Sequence, residues 1–455
     1  MHRSMMRGVR LMPLFVFLSL AASAGTDRKV DFPRPDIKEW QLANGLDVIY
    51  LGVHKTPLVT VQVWYHAGSK DEPRDRRGSA HMFEHIMFKG TRHVPPEEHA
   101  RMLDKLGGSV NAFTTEDMTA FHDTLPRQYM DFAMHLEAER MQHLLFLKKT
   151  IGTEREVVKE EIRRRENHPI ARALERFREL AFIKHPYAWD AGGRIGDLDK
   201  TTPADLERFY KSYYHPINAI LIVVGDVEEK QVRECAERWF GSIAKGSVPP
   251  RPAQNSPEPV QTMLREERRE PAQLGVIIGG YKIPAAKNPD LIPLQVLESV
   301  LSQGDSSRLH RRIVRDDKVG VFAGTYLQQF EDPGLMLVFG AYLKPEQGAK
   351  LRADLLDEVA KLQKTPLDAR QLEKAKNQLA AHFVYGLQHV EGLAYQIGVS
   401  SIMTGDARAW LDDYGKILAV SADDVMRVAK TYLTPERLTL VTVPPLGPGA
   451  KGGAR

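Results

Sequence analysis

One segment of this chain occurs twice. Thr202–Val224 overlays Ser421–Val443 with a constant offset of 219 and no gap. Asp205, Arg208, Lys211, Tyr213, Pro216 and Leu221 fall on Asp424, Arg427, Lys430, Tyr432, Pro435 and Leu440. In each copy a helical pattern runs to a proline and a β-branched strand follows. A repeat on this scale means duplicated domains rather than a solenoid. Between the copies, Pro249, Pro250, Pro252, Pro257 and Pro259 mark an extended linker at 246–260. The expected organisation is a first domain over 25–245, a second over 261–445 and a Gly-rich disordered tail over 446–455. Strand patterns at Leu46–Tyr50 and Val59–Tyr65 open the first half. Helical patterns follow at Ala80–Lys89, Pro96–Leu106, Gln128–His143 and Thr153–Asn167. The fold class is therefore α+β, each half a sheet with helices packed on one face.

The N-terminus carries Arg3, Arg7 and Arg10, then an apolar run from Leu11 to Ala22, then Ala22-Ser23-Ala24. That is the layout of a secretory signal peptide cleaved after Ala24, too short to span a bilayer. The expectation is a periplasmic or secreted protein with no membrane span after cleavage. Cys235 is the single cysteine, so no internal disulfide forms; it reads as a small buried hydrophobe. The net charge of +4 over 455 residues, without a basic stripe interleaved with aromatics, gives no sign of a nucleic-acid partner.

The chemistry concentrates at His81-Met82-Phe83-Glu84-His85. On a helix, residues i and i+4 lie on one face, with i+3 beside them. Two neutral imidazoles suit Zn²⁺, and a neighbouring carboxylate can take a proton from water. Zinc needs a third protein ligand, and the acid-rich stretch Thr153–Asn167 is the place to look. Thr153 is positioned to cap a helix there. Glu154 and Glu161 are two turns apart and share a face, while Glu160 turns away by about 100°. Spacing alone does not choose between Glu160 and Glu161. Glu156, Glu160 and Glu166 interleave with basic residues, as on a solvated face. His93, His99, His122, His135 and His143 have no spacing that favours them as ligands and read as surface or packed histidines.

These residues resemble the pitrilysin family of inverzincin zinc metallopeptidases. The resemblance rests on His81–His85, on Glu154–Glu161, on Gly107-Gly108-Ser109-Val110-Asn111-Ala112-Phe113-Thr114, on Phe88–Thr91 and on Tyr213–Ala219, and covers nearly the whole mature chain. It implies a clamshell of two homologous halves, each a mostly antiparallel sheet with helices. It also implies His81, His85 and Glu161 as ligands of one Zn²⁺ per chain, Glu84 as general base, and Glu154 supporting a ligand histidine. By the same resemblance, Asn111 and Ala112 contact a peptide substrate added to an edge strand. At the offset of 219, His85 falls on Gly304, Glu84 on Gln303 and Glu161 on Ala380, so only the first half holds the metal.

The chain departs from the family in one place. Many relatives carry an Arg and a Tyr seven residues apart in the second half to bind substrate. Here Arg315 is followed at that distance by Phe322, and Tyr326 lies four residues further on. Phenylalanine has no hydroxyl to donate to an oxyanion. The expectation is a zinc-bearing subunit working with a homologous subunit that carries the Arg/Tyr pair, or else a homodimer in which Arg315 or Tyr326 suffices. The alternative to an exported endopeptidase is a non-catalytic assembly subunit, although such a subunit has no need of an intact Glu84.

Overall fold

The computed structural model describes residues 34–251 and 258–447. The predicted signal peptide, the middle of the linker and the end of the tail lie outside them. Among the described residues no helix is long and apolar enough to cross a membrane.

From Pro35 onward the chain packs as a single unit containing two sheets. The first half supplies β1 (Lys38–Gln41), β2 (Asp47–Gly52), β3 (Leu58–Tyr65), β4 (Ser109–Thr114), β5 (Thr119–Pro126) and β6 (Ala219–Gly225). They lie in the order β1-β2-β6-β3-β5-β4, all antiparallel except the β2–β6 pair. The half's helices are α1 (Ser79–Ile86), α2 (Glu98–Lys105), α3 (Met130–Gln142), α4 (Lys148–Glu166), α5 (Pro169–Ala181), α6 (Ile195–Lys200), α7 (Pro203–Tyr213) and α8 (Glu229–Phe240). The second half supplies β7 (Arg265–Arg268), β8 (Gly275–Ile283), β9 (Phe322–Gln328), β10 (Gly334–Tyr342) and β11 (Leu438–Val443), ordered β7-β11-β8-β10-β9. Its helices are α9 (Leu291–Ser302), α10 (Gly348–Lys364), α11 (Ala369–Gly386), α12 (Val390–Thr404), α13 (Asp413–Ala419) and α14 (Ala422–Tyr432).

The repeat is preserved in detail. Thr202 caps α7 and Ser421 caps α14, each accepting from the amide of an aspartate three residues on, Asp205 or Asp424. Each aspartate returns the contact to the cap's own amide, closing a capping box. A short 3₁₀ turn at Pro216 or Pro435 then leads into β6 or β11, each lying parallel to one neighbour.

Alternation along the strands divides the packing. Val59, Val61, Val63 and Tyr65 of β3 face the first half's own helices. Trp64, between them, faces α12 of the second half, whose Tyr395 ring lies 5.7 Å away. The second sheet mirrors this. Ile277, Tyr281 and Ile283 of β8 face their own helices, whereas Val276 and Ile278 pack with Ala173, Phe177 and Ala181 of α5. Each half therefore lends a helix to the other's sheet, and both sheets are covered on two faces.

One expectation is corrected. α4 starts at Lys148, not at Thr153, and Thr153 does not cap it. Its hydroxyl donates instead to the Lys149 carbonyl at 3.2 Å, one turn back inside the helix. Cys235 is buried as expected; burial first, then Asp131, push its thiol up to about 12.

Candidate metal centre

The residues within the pentapeptide set its orientation. Met82, Phe83 and Ile86 are buried, and Phe83 stacks on Tyr214 with ring centroids 4.8 Å apart. This pins α1 to the core and turns His81, Glu84 and His85 outward. At the start of α1, Gly78 takes φ 94°, a conformation that favours glycine. The buried Glu72 carboxylate accepts from the amides of Gly78 and Ala80 at 2.9 and 2.8 Å. It satisfies donors that the helix itself leaves open.

Glu161 of α4 reaches this face. Its Oε2 lies 3.6 Å from Nε2 of His81 and 3.6 Å from Nε2 of His85. Glu160 instead pairs with Arg163 at 3.2 Å. The geometry thus separates two carboxylates that spacing left open. Tetrahedral zinc holds such ligands at about 2.0–2.1 Å, which places neighbouring donors about 3.3 Å apart. The observed separations fit that donor set with little adjustment. Burial, then neighbouring His85 and Arg165, hold His81 down to about 4, so its imidazole is neutral at neutral pH. Among the described residues its Nδ1 is buried without a hydrogen-bond partner.

Glu154, one face with Glu161 but buried, lies 3.5 Å from Nδ1 of His85. Lys89 approaches the other oxygen of Glu154 at 3.3 Å and pairs with Glu97 at 2.5 Å. Sequence reasoning had no role for Lys89, although its place one turn past His85 was a usable signal. Burial raises the Glu84 carboxyl above its ordinary value, against the pull of Thr114 and His85. Thr114 belongs to β4, which among the described residues pairs with β5 alone and forms the edge of the first sheet. Asn111 and Ala112 lie on that edge, the amide of Ala112 donating to Oδ1 of Asn111 at 2.9 Å.

The second half is different. Gln303 and Gly304 follow α9, and Ala380 is buried in α11. Gln303 meets His382 at 2.7 Å. Among the described residues, no trio of metal-binding side chains forms in this half. Arg315 sits on a π-helical turn, His310–Asp316, and pairs with Asp316 at 3.1 Å. Phe322 packs on Phe339, while Tyr326 is exposed and lines a cavity of about 640 Å³ with Phe113 and Tyr395. The structure therefore gathers His81, Glu84, His85, Glu154 and Glu161, sets β4 beside them, and leaves Arg315 with a local partner.

A duplicated α+β clamshell with such a donor set in one half only defines a metallopeptidase class. Residues 48–190 match the family model described as "Insulinase (Peptidase family M16)", and residues 200–379 match "Peptidase M16 inactive domain". Zinc protease PqqE of Helicobacter pylori is 30% identical over 408 residues, 89% of this chain and 92% of that protein. The uncharacterized zinc protease YmxG of Bacillus subtilis is 25% identical across 90% of this chain and 99% of that one. The crystal structure of a protease from Helicobacter pylori superposes with a TM-score of 0.86 at 29% identity, covering 90% of this chain and all (100%) of that one. A Pseudomonas fluorescens structure titled as a peptidase M16 inactive domain gives 0.83 at 16% identity over 90% and 98%, a likeness of fold alone. The chain belongs to peptidase family M16, the insulinase or pitrilysin family.

Proposed function

We propose that this chain is an exported zinc endopeptidase that cleaves peptides or unfolded polypeptide between its two halves. The observation that carries the reading is the meeting of both imidazole Nε2 atoms with one Glu161 oxygen, each at 3.6 Å, with Glu84 adjoining. His81, His85 and Glu161 would hold one catalytic zinc. When bound, zinc supplies a Lewis acid that polarises the peptide carbonyl and acidifies water.

The chain's own groups do the rest. Glu84 accepts the proton of the attacking water and returns it to the leaving amine. Burial raises its carboxyl above the ordinary value, which makes it a better proton acceptor than a solvated carboxylate. Glu154 holds the orientation of His85 through Nδ1, with Lys89 behind it. An extended substrate adds to the free side of β4 by main-chain pairing, near Asn111 and Ala112. Arg315 is the second half's candidate for a substrate contact.

The test compares the mature wild type with Glu84→Gln on unstructured peptides, with zinc measured in both. Turnover should fall by about 10²–10⁴-fold while zinc content stays equal. Equal turnover removes Glu84 from the reaction. A second reading concerns partners. Phe322 lacks a hydroxyl and Arg315 is paired locally, which supports a division of labour with a homologous subunit that carries an Arg/Tyr pair. Full hydrolysis by the purified chain alone would sink it. Export to the periplasm rests on the signal-peptide pattern; fractionation of a tagged full-length chain tests it.

A further inference from the structure

Two histidines that sequence spacing left unassigned are brought together with a buried carboxylate. His93 follows α1 in the loop to α2, and His143 directly follows α3. Nδ1 of His93 lies 2.9 Å from Oε1 of Glu139, and Nε2 of His143 lies 4.0 Å from the same oxygen. The two rings are 5.4 Å apart between centroids and nearly perpendicular, at 84°. Donor atoms of all three residues fall within 4.8 Å of one another.

The surroundings hold these groups in place. The Arg92 amide donates to the His143 carbonyl at 2.9 Å, and Thr91 forms an isolated bridge with Leu144. The loop is thereby fastened to the end of α3 just ahead of His93. Glu139 is buried, and its second oxygen accepts from the Thr91 hydroxyl at 2.9 Å. That contact orients the carboxylate so that Oε1 faces the two rings. His93 is the adjustable member, its side chain 58% exposed.

We propose that His93, Glu139 and His143 form a second transition-metal site, separate from the pentapeptide centre. Two imidazoles and one carboxylate select a borderline divalent cation, Zn²⁺ foremost, over Ca²⁺ or Mg²⁺, which favour all-oxygen shells. The fourth position is open to water. Binding replaces the His93–Glu139 hydrogen bond: the proton on Nδ1 passes through solvent to Nε2, so the ring stays neutral, and Nδ1 and Oε1 each donate an electron pair to the metal. The bound ion clamps the loop that follows the zinc-motif helix onto α3. It is a structural site and needs no part in hydrolysis.

The experiment uses the mature chain with His81→Ala and His85→Ala, which removes the first site. After chelation and dialysis it is titrated with Zn²⁺ alone by calorimetry, and melting is followed with and without the ion. One equivalent should bind, and zinc should raise the melting temperature. Adding His93→Ala, a change at an exposed loop side chain, should weaken that binding by more than about tenfold, the scale on which even outer contacts to a metal act. The zinc-dependent melting shift should vanish with it. Glu139→Gln provides a second variant that keeps the carboxamide's bond from Thr91. No binding in the parent variant, or binding that both added changes leave intact, overturns the proposal. Because the parent lacks His81 and His85, either result leaves the reading of the catalytic centre untouched.

Discussion

Gly398 of α12 lies flat against the indole of Trp64 on β3, so closely that a Cβ on residue 398 would overlap the ring. The indole NH is meanwhile held by Gln62 at 2.9 Å, so the ring cannot turn away freely. The contact joins the second half's helix to the first half's sheet. Gly398→Ala should destabilise the chain by about 1–3 kcal/mol, the usual cost of overfilling a packed interior. Gly415 in α13 is the control, since nothing lies within 4 Å of a Cβ added there. Gly415→Ala should be neutral or stabilising by up to about 1 kcal/mol, because alanine favours helix. Urea unfolding of the two variants checks both statements, and equal midpoints would mean that α12 does not seat on Trp64.

The reciprocal helix makes a parallel case. Phe177 of α5 is fully buried beneath the second sheet, its ring occupying the space that a Cβ on Gly280 would need. Phe177→Ala leaves a cavity that neither half can close alone, and should cost about 3–5 kcal/mol. The same loss should expose the linker side of the molecule to proteolysis. A cut pattern unchanged from wild type, at an unchanged melting temperature, would show that the halves do not depend on this exchange.

Glu160 and Glu161 are neighbours in sequence with opposite surroundings, so they should respond oppositely to one change. Glu161→Gln removes the oxygen that lies 3.6 Å from both imidazoles and should abolish tight zinc binding. Glu160→Gln loses only an exposed pair with Arg163, worth about 0.3–0.5 kcal/mol. Glu154→Gln should lie between them, with zinc affinity down by about 10–100-fold. Metal content after dialysis against a weak chelator orders the three.

What the sequence could reveal followed the range of each signal. His81, Glu84 and His85 lie within one helical turn and a half, and the repeat at 202–224 and 421–443 needs no gaps, so both were legible. The choice of Glu161 over Glu160 came from family resemblance, because it depends on how α4 rolls against α1. The start of α4 was missed because its first turn holds Lys148, Lys149 and Gly152, which give no capping signal; Thr153 then offered a false one. The exchange of α5 and α12 left no local trace, since each is shaped to a surface in the other half, far away in the sequence. His93 and Glu139 are likewise joined only by the fold.

Lys70 links the halves through charge. Its ammonium lies 2.6 Å from Asp117 and 2.5 Å from Glu331, and Glu331 also meets His66 at 2.6 Å. Burial pushes the Glu331 carboxyl up, but His66 and Lys70 outweigh it and hold it down to about 2. A carboxyl depressed on folding stabilises the protein above its unfolded pKa, and that contribution is lost as pH falls toward the folded value. Acid unfolding of wild type should therefore steepen between about pH 4.5 and 2. Glu331→Gln should remove that limb and cost about 1–3 kcal/mol at neutral pH, less than a fully broken buried pair because Asp117 remains. Identical acid limbs would show that Glu331 is ionised to the same extent folded and unfolded.

The buried cluster of α3 works in the other direction. Glu137 is fully buried beside Asp123 of β5 and His99 of α2, with Arg140 at 3.2 Å and Tyr65 also near it. Burial is the larger influence; Arg140 opposes it and Asp123 adds to it, leaving Glu137 up at about 8. Asp123 is likewise raised, to about 6, and buried His99 is held down to about 3. A carboxyl raised on folding binds a proton that the unfolded chain has released. Its stabilisation is full below the unfolded pKa and drains away as pH climbs through the folded one. His99 acts oppositely, but only below its unfolded value near 6.5. Between about pH 6.5 and 8, then, Glu137 is the member of this cluster that sets the slope, and its contribution to stability should fall by up to about 1.4 kcal/mol per pH unit. Glu137→Gln, which mimics the protonated acid, should flatten that part of the curve and leave the chain more stable than wild type at neutral pH, because the unfolded chain no longer gains by releasing the proton. Chemical unfolding at four or five pH values decides it: a wild-type curve that is level or rising there would mean Arg140 keeps the buried carboxylate ionised.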